Sequence, residues 1–463
     1  VSIIILIPAI FAAYIAWTQS VHKAFIYVYV PVLLFLPDYY RWPVPGFPDP
    51  NFGTATMLAI MGIWLIRGQP GWRFSFTDIL IFGYALSVLY SEFLSPEGIP
   101  HYQNFVLNFS ASVLCPYILA KSLIEPAGLR EDFAKSIAFT LFLVAGVLAF
   151  QFVTRSHYTL MQPVLGRFFA GQGWQHTAEM RWGLMRANGP FQHEILAGVI
   201  MWTGYRIQRW LEWSQAWPTR LRQFPWLPIP TARLLSLGIF AGAFMTLTRG
   251  PILGALVAAF IPLMGLSKRR WTIFWILVAF AIIVGIPVIS WFIGYASVDP
   301  ATIESRGQQT VAYRWQLVID YFDIAMEQAV LGWGRFGWPN ISQSKWTGSI
   351  DNHLLLLFLK HGLMGLGFFI AIFLSMMVRL FIHSMRQPIP ELPGSSLGFT
   401  LLSLYILIFI SIATVWLGHQ TEPLLFLIIG WSEGYLGSGR ESLGNRPTTS
   451  PISRQPFKFR RVL

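Results

Sequence analysis

An all-α, polytopic membrane protein is the fold class this chain predicts, and three observations carry the prediction. Of its 463 residues, 54% are hydrophobic and only 12% charged, with 38 Phe and 20 Trp. That is too little charge to cover a soluble protein of this size. Residues 271 to 294, WTIFWILVAFAIIVGIPVISWFIG, hold no charge over a length that crosses a bilayer, for which about 20 apolar residues suffice. The net charge of +12 is gathered in short connections between such runs. This is the positive-inside pattern rather than the footprint of a nucleic-acid binder.

In chain order the apolar stretches are 2 to 18, 22 to 37, 54 to 67, 77 to 94, 104 to 121, 133 to 154, 190 to 206, 232 to 248, 251 to 267, 272 to 294, 353 to 379, 396 to 417 and 422 to 436. They make about 12 or 13 transmembrane helices, the first and last being short. The first stretch lacks the basic start and small-residue cleavage site of a signal peptide and reads as a retained span. Cys115 is the single cysteine, so no intrachain disulfide can form.

Alternating sides along this series places Arg67, Arg73, Lys121, Arg130, Lys135, the arginines of 206 to 233, the KRR run at 268 to 270, Arg379 and Arg386 on one face, which the charge rule makes cytoplasmic. The Arg/Trp/Pro mixture of 206 to 233 suits a segment lying on anionic headgroups. The expected organisation is N-terminal helices over 1–154, an extracytoplasmic loop at 155–189, central helices over 190–294, a large extracytoplasmic loop at 295–352, C-terminal helices over 353–436 and a basic cytoplasmic tail at 437–463. Loops much longer than about 12 to 15 residues are usually functional, which points to the outer face.

Arginine on that outer face runs against the orientation rule. Arg155, Arg167, Arg181 and Arg186 lie in the first large loop, Arg249 in the tight turn at 247–251, and Arg306, Arg314 and Arg335 in the second. Planar guanidinium forks fit phosphate oxygens, and several converging on one site can hold a pyrophosphate without a metal. For Arg155, Arg167, Arg181 and Arg335 the expectation is a headgroup contact or a loop salt bridge.

Four motifs in order, RANGPFQHEILAG (186–198), TLTRGPILGAL (246–256), RWQLVIDYFDIAMEQAVLGWGRFG (314–337) and DNHLLLLFLKHGLMG (351–365), make the chain resemble the O-antigen ligase and polymerase superfamily of bacterial envelope glycosyltransferases. The resemblance covers roughly 186 to 367. It implies an inner-membrane enzyme that uses glycans built on undecaprenyl pyrophosphate at the outer face and inverts the anomeric carbon; no carboxylate pair with metal-binding spacing appears in the sequence, so no metal or other cofactor is expected. Arg186 and Arg249 match the family's two arginine positions associated with the lipid pyrophosphate, and Arg314 opens the loop motif. Where ligases of the family have a His-Asn pair, this chain has Asp351-Asn352, which favours polymerisation of lipid-linked repeats over transfer to a lipid core or protein. The implied partners are the lipid-linked donor, a glycan acceptor, membrane lipids, a chain-length regulator and a flippase, and no nucleic acid. The rival from another class is a polysaccharide or lipid transporter, which would place its charges near the midplane.

The catalytic candidates are Asp351, as the group that takes the proton of a sugar hydroxyl, and His353 beside it, both expected at the outer mouth. Capping of the following helix is the other role open to Asp351 and Asn352. Lys360, seven residues beyond His353, is expected on the same side and facing the bundle interior. Trp333, Trp338 and His193 are candidate glycan contacts, since aromatic faces pack against sugar rings; Trp174, Trp182 and Trp346 crowd the same loops, where an interfacial aromatic belt is the other reading.

Overall fold

In a computed structural model the described residues are 2–43, 48–95, 98–156, 161–169, 171–173, 179–220, 229–298, 303, 305–334, 337, 350–388, 396–413 and 415–444. Arg335, Trp174, Trp338, Trp346 and residues 445–463 of the basic tail lie outside them. Among the described residues the regular structure is helical except for one short hairpin. Lipid explains this: hydrocarbon offers no hydrogen-bond partners, so a spanning backbone must satisfy its own.

Among the described residues six helices are long and apolar enough to cross a membrane: α4 (Phe76–Leu94), α5 (Tyr102–Leu123), α6 (Arg130–Thr154), α9 (Arg249–Leu266), α10 (Arg270–Ala296) and α12 (His353–Arg386). Shorter apolar helices are α1 (Ser2–Thr18), α2 (Val21–Phe35), α3 (Phe52–Ile66), α8 (Thr231–Met245) and α13 (Leu397–Ile412). Two more, α7 (Glu194–Trp213) and α14 (Thr421–Gly444), complete a helix at each of the thirteen apolar stretches. Among the packed pairs are α14 with α5, α1 with α3, α7 with α8 and α12 with α4. Aromatic rings fill the centre: Trp431 meets Phe133 edge to face at 5.2 Å, and Phe369 lies against Phe373 at 5.0 Å. By contrast α10 buries almost nothing, its Ile283 and Trp291 being exposed as befits side chains turned to lipid.

The stretch 295–352 is not all loop. Its middle forms α11 (Arg306–Glu327), which docks on the start of α12 through a small separate cluster of Ala325, Leu355, Phe358 and Leu359. A backbone joint locks the far end of α11. Helix α12 breaks at Gly362, where φ is 60° and ψ is −166°. The carbonyls of Leu359 and Lys360 accept from the N–H groups of Trp333 and Gly334, each at 2.8 Å. Beyond the break the N–H groups of Leu363 and Met364 donate to the carbonyls of Ala329 and Val330, at 2.7 and 3.2 Å. A Cβ on Gly362 would stand 2.3 Å from the Val330 carbonyl oxygen, and one on Gly332 would stand 2.4 Å from the Lys360 carbonyl carbon. Only glycine admits so close an approach.

The end carrying most of the basic residues is tied by ion pairs. Lys121 Nζ lies 2.6 Å from the fully buried Asp78 carboxylate, which also accepts from the Tyr117 hydroxyl at 2.5 Å. Arg379 grips Glu433 at 2.7 Å, and Glu125 accepts from Arg130 at 2.6 Å and from the Trp431 indole at 2.8 Å. Lys121→Ala should cost about 3–5 kcal/mol, because it leaves Asp78 buried without a counter-charge. Thermal unfolding in detergent checks this, with the double variant Asp78→Asn/Lys121→Met recovering most of the loss. Gly362→Ala should cost about 2 kcal/mol or more from the left-handed backbone and the blocked joint. Gly367→Ala, on the same helix with open space at its Cβ, should leave the melting temperature unchanged or higher.

Candidate functional site

An arginine-lined cavity of about 890 Å³ is bounded by the hairpin before α7, the start of α9, the end of α10, the face of α11 and the entry to α12. Two strands, β1 (Met180–Arg181) and β2 (Leu184–Met185), pair antiparallel with Arg181 opposite Leu184. Trp182 and Gly183 make the two-residue turn with φ of 54° and 74°. The hairpin is stitched to the turn between α8 and α9. Arg181 donates to the Leu247 carbonyl, and the Ala187 N–H donates to the Met245 carbonyl at 3.2 Å. These two ties carry Arg181 and Arg186 to Arg249, the first residue of α9.

Behind the hairpin the RANGPFQ segment is held by one polar side chain in an apolar helix. Gln151 of α6 accepts from the N–H groups of Asn188 and Gly189 at 3.1 and 2.9 Å, and donates to the Asn188 side chain at 2.7 Å. Arg186 is buried and ion-paired to the exposed carboxylate of Glu179, while its Nε has no partner among the described residues. Arg249 lies over the Trp182 ring, 5.7 Å from its centroid.

From the other side, α11 brings Arg314 within 3.8 Å of the Asp351 carboxylate. Capping falls to Asn352, whose Oδ1 accepts from the N–H groups of Leu354 and Leu355 at 3.0 and 3.1 Å. Asp351, one residue earlier, is left to face the cavity. Leu253, Phe292, Val311 and Val318 give the space an apolar wall beside this charged floor.

Four guanidiniums, Arg181, Arg186, Arg249 and Arg314, thus share the lining with two carboxylates, Glu179 and Asp351. The excess of positive charge is felt: burial, then the neighbouring Arg186 and Arg249, pull the Arg181 guanidinium below its ordinary value. Burial, with the Asp351 charge behind it, raises the Tyr313 phenol. The volume of this space is in the range of small-molecule sites, roughly 300–1,000 Å³.

The structure therefore gathers Arg186, Arg249, Arg314 and Asp351 in one place. It does not put His353 at the mouth. That side chain is buried beneath the cavity floor, its Nδ1 accepting from the Leu417 N–H at 3.2 Å and its ring packed against Phe369. The first turn of α12 rotates it inward. Trp333 is also elsewhere, its indole donating to the Ile324 carbonyl at 2.8 Å within the joint below α11. His193 caps α7, with its Nδ1 accepting from the Ile195 N–H at 3.1 Å, and lies outside the lining. Lys360 sits at the break in α12, within electrostatic reach of His353, His361 and Glu422 of α14, inside the bundle as expected. Arg181, expected to meet headgroups or a loop partner, lines the cavity instead, and Glu179 and Gln151 were not anticipated. Among the described residues no group of three or more His, Cys, Asp or Glu is arranged to hold a metal ion.

Fold and site together define a multi-pass helical membrane protein with an arginine-lined cavity at one end of its bundle. Residues 234–370, which run from α8 into α12 and contain Arg249, Arg314 and Asp351, match the family model described as O-antigen ligase. The resemblance to the O-antigen ligase and polymerase superfamily is borne out over this segment, and supports a function of that type at family level. A comparison with curated proteins gives no match.

Asn352→Ala should lower stability by about 1 kcal/mol through loss of the cap. Asp351→Ala should cost less, because its partner is 3.8 Å away and both side chains are about 30% exposed. Chemical or thermal unfolding of the two variants side by side checks the division of labour.

Proposed function

We propose that the cavity receives the diphosphate of a polyprenyl-linked glycan and that the chain extends such glycans by joining repeat units at the outer face of the bacterial inner membrane. The single observation that carries the proposal is the convergence of four guanidiniums on one cavity with a carboxylate on its floor. Arg186 and Arg249 face the leaving group from one wall and Arg314 from the other. An acceptor sugar hydroxyl attacks the anomeric carbon from the side opposite the diphosphate. As the new C–O bond forms, the old one breaks, the proton passes to Asp351, and the electron pair leaves on the diphosphate oxygen. The guanidiniums hold the charge that develops there, so the step asks for no metal, and a single displacement inverts the anomeric carbon. Arg314 lies 3.8 Å from the Asp351 carboxylate, so the proton acceptor and one of the guanidiniums share the same wall.

Placement at the outer face rests on the charge rule, since the opposite end of the bundle carries the larger share of Lys and Arg. Asp351-Asn352 in place of His-Asn supports polymerisation. The second reading, transfer of the glycan to a lipid core or protein, is supported by the description of the matched family model as a ligase. It uses the same donor site and differs in acceptor.

The test is purified protein in lipid vesicles supplied with undecaprenyl-pyrophosphate-linked repeats, with glycan length read on gels. Wild type should produce longer lipid-linked chains. Arg249→Ala should lose about 10²–10³-fold in rate, and Asp351→Asn about 10²–10⁴-fold, with melting temperatures near wild type. Growth that survives both changes would refute the assignment. No growth but transfer to an added lipid core would select the ligase reading.

A further inference from the structure

Trp182 is out of place by every local rule. The two-residue turn that joins β1 to β2 needs left-handed backbone at both positions, and asparagine followed by glycine is the sequence that suits it best. Gly183 meets the demand with φ of 74°, but a tryptophan carries φ of 54° in front of it. A bulky side chain in that region is strained, because its Cβ crowds the following carbonyl. Nor does packing compensate, since Trp182 is 72% exposed. What the indole does meet is the guanidinium of Arg249, 5.7 Å from its ring centroid and inside the range of a cation–π contact.

The rest of the hairpin holds that ring in place. Arg181, immediately before, is tied to the Leu247 carbonyl, two residues ahead of Arg249. The Leu247 backbone is itself left-handed, with φ of 50°, so the turn that delivers Arg249 is bent to meet the hairpin. Arg181 stands within electrostatic reach of both Arg186 and Arg249, and since Arg249 is itself exposed, the Trp182 ring is a contact that limits where its guanidinium can go.

We infer that Trp182 is a positioning residue that holds the Arg249 guanidinium at the cavity by ring-face contact, so that it is already in place when a diphosphate arrives. The inference rests on the proposed diphosphate site. It makes an unusual demand: replacing Trp182 with a residue that tolerates the turn should relieve backbone strain while weakening anion binding.

The experiment uses the full chain in lipid nanodiscs with inorganic pyrophosphate and undecaprenyl pyrophosphate as probes, and measures affinity by calorimetry and melting temperature by intrinsic fluorescence. Trp182→Asn should melt at the wild-type temperature or above and bind both probes about two- to fivefold more weakly. Trp182→Phe, which keeps a ring face, should stay within about twofold of wild type. In an Arg249→Ala background Trp182→Asn should have no further effect, because the lost contact acts only through that arginine. Wild-type affinity in Trp182→Asn would overturn the inference while leaving the diphosphate site standing, provided Arg249→Ala still weakens binding. A marked fall in the melting temperature of Trp182→Asn would overturn it in favour of a packing role. If neither probe binds wild type, the diphosphate reading fails and this one with it.

Discussion

The arrangement of the site depends on a broken helix. A helix interrupted inside an apolar bundle leaves carbonyls and N–H groups that neither water nor lipid can satisfy, at several kcal/mol each in hydrocarbon. At Gly362 those groups find partners in the backbone of residues 329 to 334, so break and turn exist as a mated pair. Ser91 of α4 adds a bond to the Lys360 carbonyl at 2.7 Å, which fixes the pair to the bundle. Because the turn follows directly on α11, satisfying the break also determines where α11 lies. Arg314, carried on its middle, then comes to Asp351 at the mouth of α12. The Arg314–Asp351 pair is thus placed by a constraint about ten residues away that includes neither residue.

The same logic explains what could be read from the sequence. Thirteen apolar stretches were legible because lipid imposes length and composition on a spanning helix, and neither depends on what the helix packs against. Arg186, Arg249 and Arg314 were legible as arginines expected to run against the positive-inside bias, and Asp351 by the place it takes in the family's His-Asn pair. The glycines at 332, 334 and 362 stood in plain sight, but their partnership did not, since backbone pairing between a turn and a helix break leaves no pattern in side-chain chemistry. A glycine interrupting a leucine-rich helix beside Lys360 and His361 was the available signal.

Misplaced residues share one cause. His353 and Asp351 differ by two positions, and helical periodicity correctly separates their faces, but which face looks inward is set by tertiary contacts: the Leu417 N–H on His353 and, beyond the break in α12, the Phe369 ring. Trp333 and Trp182 looked alike in sequence, both aromatics in outer loops. One is used as a plug in the joint and the other stands at the cavity rim, a difference made by tertiary contacts alone. Arg181 was expected at headgroups or in a loop salt bridge, because a strand of two residues is too short to leave an alternation pattern that would turn it to the cavity. Gln151, a lone amide in a long apolar helix, did leave a signal, because an unpaired polar group in that setting is costly and must be accounted for.

Charge balance separates the two ends of the bundle. At the basic end the buried carboxylates of Asp78, Glu125 and Glu433 each have a cation, and the pairs are short and supplemented by hydroxyl or indole donors. Pairs so complete hold helices together and leave little for a ligand. At the cavity end the lining guanidiniums outnumber the lining carboxylates four to two, and Glu179, the partner of buried Arg186, is itself 55% exposed. An excess of like charge enclosed by an apolar wall raises the free energy of the empty site and lowers that of the site holding an anion. The positive surplus that makes the empty cavity less stable is therefore what makes it receptive.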